Sequence, residues 1–192
     1  MKARVASKKI YNRSIFDQAV AKYQISKSKH VAETLNLKIL EIGTARGDGL
    51  ASFFCYFPNS QLIGLDNNPF RMRYKSRRIR NVFVDISSKQ ILSNLSKYLN
   101  IKFDIIIEDC SHKLIDQILC FSEMFYNLKE GGYYIVEDLN FPKTYQNPTN
   151  KNIDLKTILK KIKNKENIES QYMDNNHFNF IKNQIKNIEF EK

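Results

Sequence analysis

The chain alternates two kinds of segment, and that alternation restricts its fold more than any single residue does. "KILEIG" (Lys38–Gly43), "QLIGLD" (Gln61–Asp66), "NVFVD" (Asn81–Asp85), "FDIIIED" (Phe103–Asp109) and "YYIVED" (Tyr133–Asp138) are short apolar runs. Most are continuous rather than alternating, which marks strands buried on both faces. Segments with helical spacing separate them. "GLASFFCYF" carries Leu50, Phe53, Phe54 and Phe57 on its inner side. "SSKQILSNLSKYL" carries Ile91, Leu95 and Leu99 behind a Ser87/Gln90 pair at capping-box spacing. Residues Lys113 to Leu128 carry Leu114, Ile118, Phe121, Phe125 and Leu128, and Gly131 and Gly132 then read as a stop and a turn. The pattern predicts an α/β fold: a doubly wound, mostly parallel sheet in one domain.

The flanks carry less pattern. Residues 1–14 read as a basic arm, Ile15 to about His30 as a short helix, "FPKTYQNPTN" as a loop, and "NIDLKTILKKIKNKENI" as a basic amphipathic helix. Residues 1–36 form an N-terminal arm and helix, 37–140 the core and 141–192 a substrate or lid region in this reading. The closing "NIEFEK" offers the start of a sixth strand, so the sheet is expected to be short at its C-terminal side.

Every apolar run but one ends in an acid. "IIIEDCSH" is the most pointed case, with Asp109 followed three residues later by His112. Glu137 and Asp138 end the last run. If the two strands are neighbours, their ends lie about 4.8 Å apart, and three carboxylates converge beside the crevice where doubly wound sheets bind ligands. Such a group resolves its repulsion with a divalent cation, Mg²⁺ or Mn²⁺. A cation can acidify a bound hydroxyl, and an adjacent neutral histidine can take the proton. At the first run, Gly43, Gly47 and Gly49 allow close approach of a ligand, though their spacing is not that of a dinucleotide fingerprint. Asp66 follows Gly43 by 23 residues, where an acid can accept both ribose hydroxyls, and Asp85 could reach an adenine edge or cap the next helix.

On these residues the chain resembles the class I S-adenosylmethionine-dependent methyltransferases over roughly residues 38–140. "EIGTARGDG…YFPNSQLIGLD" is most similar to the macrocin and mycinamicin type of sugar O-methyltransferases. The resemblance implies S-adenosylmethionine binding by Glu41, Gly43 and Asp66, and position alone adds Gly47, Asp85 and Asp109 as candidate cofactor residues. That subgroup carries D-G-S-H after its fourth strand and E-D after its fifth. This implies Asp109, Glu137 and Asp138 as metal ligands, His112 as base, and a small-molecule hydroxyl, on a sugar, as acceptor. Cys110 stands where the subgroup has Gly.

The net charge of +11 raises a nucleic-acid partner as a rival, chiefly through "RMRYKSRRIR" (Arg71–Arg80), in which six of ten residues are basic. A catalytically inactive cofactor-binding module and a dinucleotide oxidoreductase are two further rivals. No run reaches membrane-spanning length, the N-terminus has no apolar signal region, and the three cysteines have no metal-site spacing. A cytoplasmic protein with reduced thiols is expected, and a homo-oligomer is left open.

Overall fold

The computed structural model describes residues 34–139 and 153–190. The arm over residues 1–14, the helix expected from Ile15 to His30 and the loop over residues 141–150 lie outside them. Five strands are present among the described residues: β1 (Lys38–Ile42), β2 (Gln61–Asp66), β3 (Ile79–Phe83), β4 (Phe103–Glu108) and β5 (Leu128–Val136). They form one parallel sheet in the order β3-β2-β1-β4-β5. The order reverses between β1 and β4, so the crevice of a doubly wound sheet opens above their carboxyl ends.

The strand sequences dictate two cores. Along β4, Ile105 and Ile107 face one side and Phe103 and Ile106 the other. One side is filled by α1 (Asp48–Tyr56) through Leu50 and Phe53. The other receives α2 (Lys89–Leu99) and α3 (Leu114–Met124), then α4 (Leu155–Lys163) and α5 (Asn175–Gln184). Ile158, Ile162, Phe178 and Ile181 are buried there, so the described part of the C-terminal region closes the core over α3. No helix among the described residues is long and apolar enough to cross a membrane.

Several local expectations change. β3 runs two residues earlier than "NVFVD" suggested, and it is an edge strand with a half-open face. The cap of α2 is Ser88, whose hydroxyl accepts from Ile91 N at 3.4 Å; Ser87 instead bonds Asp85. The buried stripe is Leu92, Leu95 and Leu99, and Ile91 is exposed. Gly131 and Gly132 do not precede the strand but lie within β5. Phe103 pairs with Leu128 and Ile105 with Tyr133, so the intervening residues bulge out, with Gly131 at φ +76° supplying the left-handed step. "NIEFEK" adds no sixth strand among the described residues.

Arg78, inside the basic run, is a structural residue. Its guanidinium donates to Phe54 O, Phe57 O and Ser60 O at 3.0–3.2 Å and lies 3.7 Å above the Phe54 ring. It thus satisfies carbonyls left over at the C-terminus of α1. Arg78→Ala is expected to cost about 1–3 kcal/mol in urea unfolding, the worth of charged hydrogen bonds that water only partly replaces. A loss under about 0.5 kcal/mol would match an ordinary surface change instead.

Candidate active site

The site is built where β1, β4 and β5 end. Asp109 N donates to Ile42 O and Glu137 N to Glu108 O, both at 2.9 Å, so the ladders extend one residue past the strands and fix both acids. Gly43 makes this possible. It has φ +90°, and a Cβ there would sit 2.2 Å from Asp109 O and 2.6 Å from Cys110 Cα. Only glycine lets the β1 turn press against the backbone carrying Asp109.

Asp109, His112 and Asp138 offer ligand atoms all within 4.8 Å of one another. His112 Nε2 is 3.6 Å from Asp109 Oδ1 and 3.7 Å from Asp138 Oδ2. His112 and Asp138 both hold the left-handed conformation, at φ +57° and +52°, which costs a non-glycine residue about 1–3 kcal/mol. The Glu137 carboxylate is not in this set. Glu137 lies within electrostatic reach of Glu41, as Asp109 also does.

Glu41 is buried beneath the first turn of α1, where a Cβ on Gly49 would meet its carboxylate at 2.1 Å. Burial, then Asp109, then Glu137 push its pKa up to about 8, against a smaller opposing pull from the Leu50 backbone N–H. The folded chain therefore holds this proton more tightly than the unfolded chain does. The resulting stability is complete below pH 4.5 and is lost as pH rises through about 8. Glu108, raised to about 7 by burial, acts with the same sign. In metal-free buffer, denaturant unfolding should show falling stability over that window. Glu41→Gln should flatten the slope; an unchanged slope would remove Glu41 as its source.

Beside the cluster opens a cavity of about 370 Å³ lined by Gly43, Asp66, Asp85 and Asp109, among others. Asp66 accepts Ala45 N at 2.8 Å and Asn68 N at 2.7 Å, tying the β1 and β2 turns together. Each carboxylate oxygen retains capacity for a further donor. Asp85 accepts both Ser87 N and Ser87 Oγ, and these bonds hold its pKa below the usual value. Glu41 and Gly47 do not line the cavity; Gly47 sits where a Cβ would strike Met72 Sδ. Arg71, read from the sequence only as part of a basic run, lines it, as do Lys113 and Asp116, which that reading did not assign to a site. Lys113 and Asp116 had a signal, since they open the helix that follows "EDCSH". Cys110, the departure from Gly, donates its thiol to buried Glu108 Oε1 at 2.6 Å. Its side chain therefore gives that carboxylate a partner.

Asp109 belongs to both the cavity and the cluster, so a ligand in the cavity ends next to two carboxylates and an imidazole. A parallel sheet of this order with such a crevice is a doubly wound, ligand-binding architecture. Residues 33–192 match the model of a methyltransferase domain, and the chain belongs to that family. It is similar to the mycinamicin VI 2''-O-methyltransferase of Micromonospora griseorubida, 28% identical over 110 residues, covering 54% of this chain and 27% of that protein. It is also 32% identical over 108 residues to the 8-demethyl-8-alpha-L-rhamnosyl tetracenomycin-C 2'-O-methyltransferase of Streptomyces olivaceus, covering 53% of this chain and 28% of that one. The chain thus spans little more than a quarter of the length of these relatives. Among solved structures, the MycE methyltransferase of the mycinamycin biosynthetic pathway, in complex with Mg and SAH, superposes with a TM-score of 0.61 at 23% identity. The match covers 78% of this chain and 42% of that one. The class I methyltransferase fold read from the sequence is borne out.

Proposed function

We propose that the protein is an S-adenosylmethionine-dependent, metal-assisted O-methyltransferase acting on a sugar hydroxyl. The observation that carries this reading is the shared position of Asp109 between the cavity and the Asp109–His112–Asp138 cluster. The named relatives, which methylate sugars of natural products, support the acceptor class.

S-adenosylmethionine would lie along the cavity, with the ribose hydroxyls at Asp66, the adenine toward Asp85 and the methionine portion near Gly43 and Asp109. Glu41 contributes from beneath, by packing against the first turn of α1 and holding the glycine turn. The donor set suits a hard cation, because carboxylate oxygens of Asp109 and Asp138 come within 4.8 Å of one another. A divalent ion held by these acids supplies charge that makes a hydroxyl more acidic. His112 would take the hydroxyl proton on Nε2 as the oxygen attacks the methyl carbon. The carbon–sulfur bond breaks in line, and the sulfonium leaves as a neutral thioether. His112 must be neutral to act, so the rate should rise with pH on the acid side. The base role requires that Nε2 not be a permanent metal ligand, since a ligating nitrogen has no lone pair for a proton.

Calorimetry tests the cofactor half directly. S-adenosylmethionine should bind the wild type, and Asp66→Ala should bind at least tenfold more weakly, about 1.4 kcal/mol, through loss of the hydroxyl acceptors. Equal affinity in the variant, or tighter binding of a nicotinamide dinucleotide, would refute the assignment.

A further inference from the structure

Apart from Arg71, which lines the cofactor cavity, the segment Arg71–Arg80 is not used by the chemistry above. Arg78 is committed to the end of α1. The other five, Arg71, Arg73, Lys75, Arg77 and Arg80, are exposed, and none has an acidic partner among the described residues. Interleaved with them are aromatic rings that a folded chain ordinarily hides. Phe70 is 96% exposed, Tyr74 41% and, on β3, Phe83 64%. A depression of about 520 Å³ lined by Arg46, Phe70, Arg71 and Arg73 runs along this strip. It shares Ala45 and Arg71 with the cofactor cavity, so the two adjoin. The strip is fixed in place: Arg73 N donates to Arg46 O at 3.1 Å and Tyr74 Oη to Asp48 at 3.2 Å. Charge on an edge strand discourages strand pairing. That accounts for Arg80, but not for the cations of the preceding loop.

We propose that this strip docks an anionic carbohydrate chain whose acceptor sugar reaches the Asp109–His112–Asp138 cluster. The inference rests on the transferase reading and narrows its substrate from any sugar hydroxyl to one on an acidic glycan. The geometry favours a chain over a single sugar. Counted from β2, the strip lies two strand spacings from β4 and three from β5, about 10–14 Å. That exceeds the screening length of about 8 Å at physiological salt, so the acidic cluster does not neutralise the strip. An acceptor touching both must be extended, with negative charge at one end and a neutral reacting sugar at the other. A glycan charged at intervals meets this pattern. RNA, charged at every nucleotide, would press phosphates onto the carboxylates. The exposed rings fit the same partner, because the C–H face of a sugar ring stacks on the negative face of an aromatic ring.

The test uses the full chain and three probes at fixed ionic strength: hyaluronan oligosaccharides, in which alternate sugars carry a carboxylate, uncharged dextran, and oligouridylate. Hyaluronan should bind, weaken as salt rises, and bind roughly tenfold or more weakly to Arg73→Glu/Lys75→Glu/Arg77→Glu. Phe70→Ala should also weaken it with charge unchanged, while both variants keep the wild-type unfolding temperature. Absence of hyaluronan binding, or equal binding by the folded charge-reversal variant, would overturn the proposal. So would oligouridylate binding more tightly than hyaluronan, which would assign the strip to nucleic acid. Binding of S-adenosylmethionine is measured alongside. Its failure in the wild type sinks the transferase reading, whereas retained cofactor binding without hyaluronan binding sinks only the glycan strip.

Discussion

Replacing His112 by alanine is expected to lower methyl transfer by about 10² to 10⁴, the range for a lost general base. Affinity for S-adenosylmethionine should barely change, since His112 does not line the cofactor cavity. The imidazole lies 3.6 Å and 3.7 Å from carboxylates of two acids proposed to hold the cation. Cation binding is therefore the sharper readout. A base leaves it intact on removal, whereas a ligand takes it away. Retained cation binding with lost turnover is the expected result. Loss of both would make His112 a ligand, and near-normal turnover would remove it from the chemistry.

Gly43→Ala is expected to be the most damaging small substitution. The added carbon would fall 2.2 Å from Asp109 O, and the obstruction is backbone on both near contacts, so no side chain can swing away. The φ of +90° adds conformational strain. Together these should cost about 3 kcal/mol or more and shift Asp109, so cofactor and cation binding fall with stability. Gly131 separates the two causes. It also has positive φ, +76°, but nothing lies within 4 Å of a Cβ there. Gly131→Ala should cost only about 1 kcal/mol, from strain alone, and leave binding unchanged. Denaturant unfolding of both variants checks this. Equal, small losses would mean that the close approach at Gly43 is readily relieved.

The core of the fold was legible because parallel strands buried on both faces must be apolar throughout, and β1, β2, β4 and β5 carry such runs between helical patterns. The candidate site was legible for a related reason. In this topology strand ends converge, so acids at the ends of "FDIIIED" and "YYIVED" can be placed together before any coordinate is known. What stayed hidden depends on side-chain direction and tertiary contact. Glu137 and Asp138 read as one pair, but they meet different neighbours, Glu41 for one and His112 for the other, with Asp138 in a left-handed turn just past β5. Gly131 and Gly132 look like a terminator, and their role as a bulge follows from pairing with β4. Arg78 looks like one cation among six, and only the packing of α1 shows which carbonyls it satisfies. Basic amphipathic α4 has an apolar face whose partner, α3, no local pattern names.

The central claim is that carboxylates at the ends of β4 and β5 hold a divalent cation next to the cofactor cavity. Its most direct test is a crystal grown with S-adenosylhomocysteine and Mn²⁺, with data collected for the anomalous signal of manganese. One peak is expected between the Asp109 and Asp138 oxygens, at about 2.0–2.3 Å from its ligands, and no peak in Asp109→Ala crystals. Well-ordered carboxylates with no manganese peak between them, in a crystal whose cavity holds the cofactor product, would contradict it.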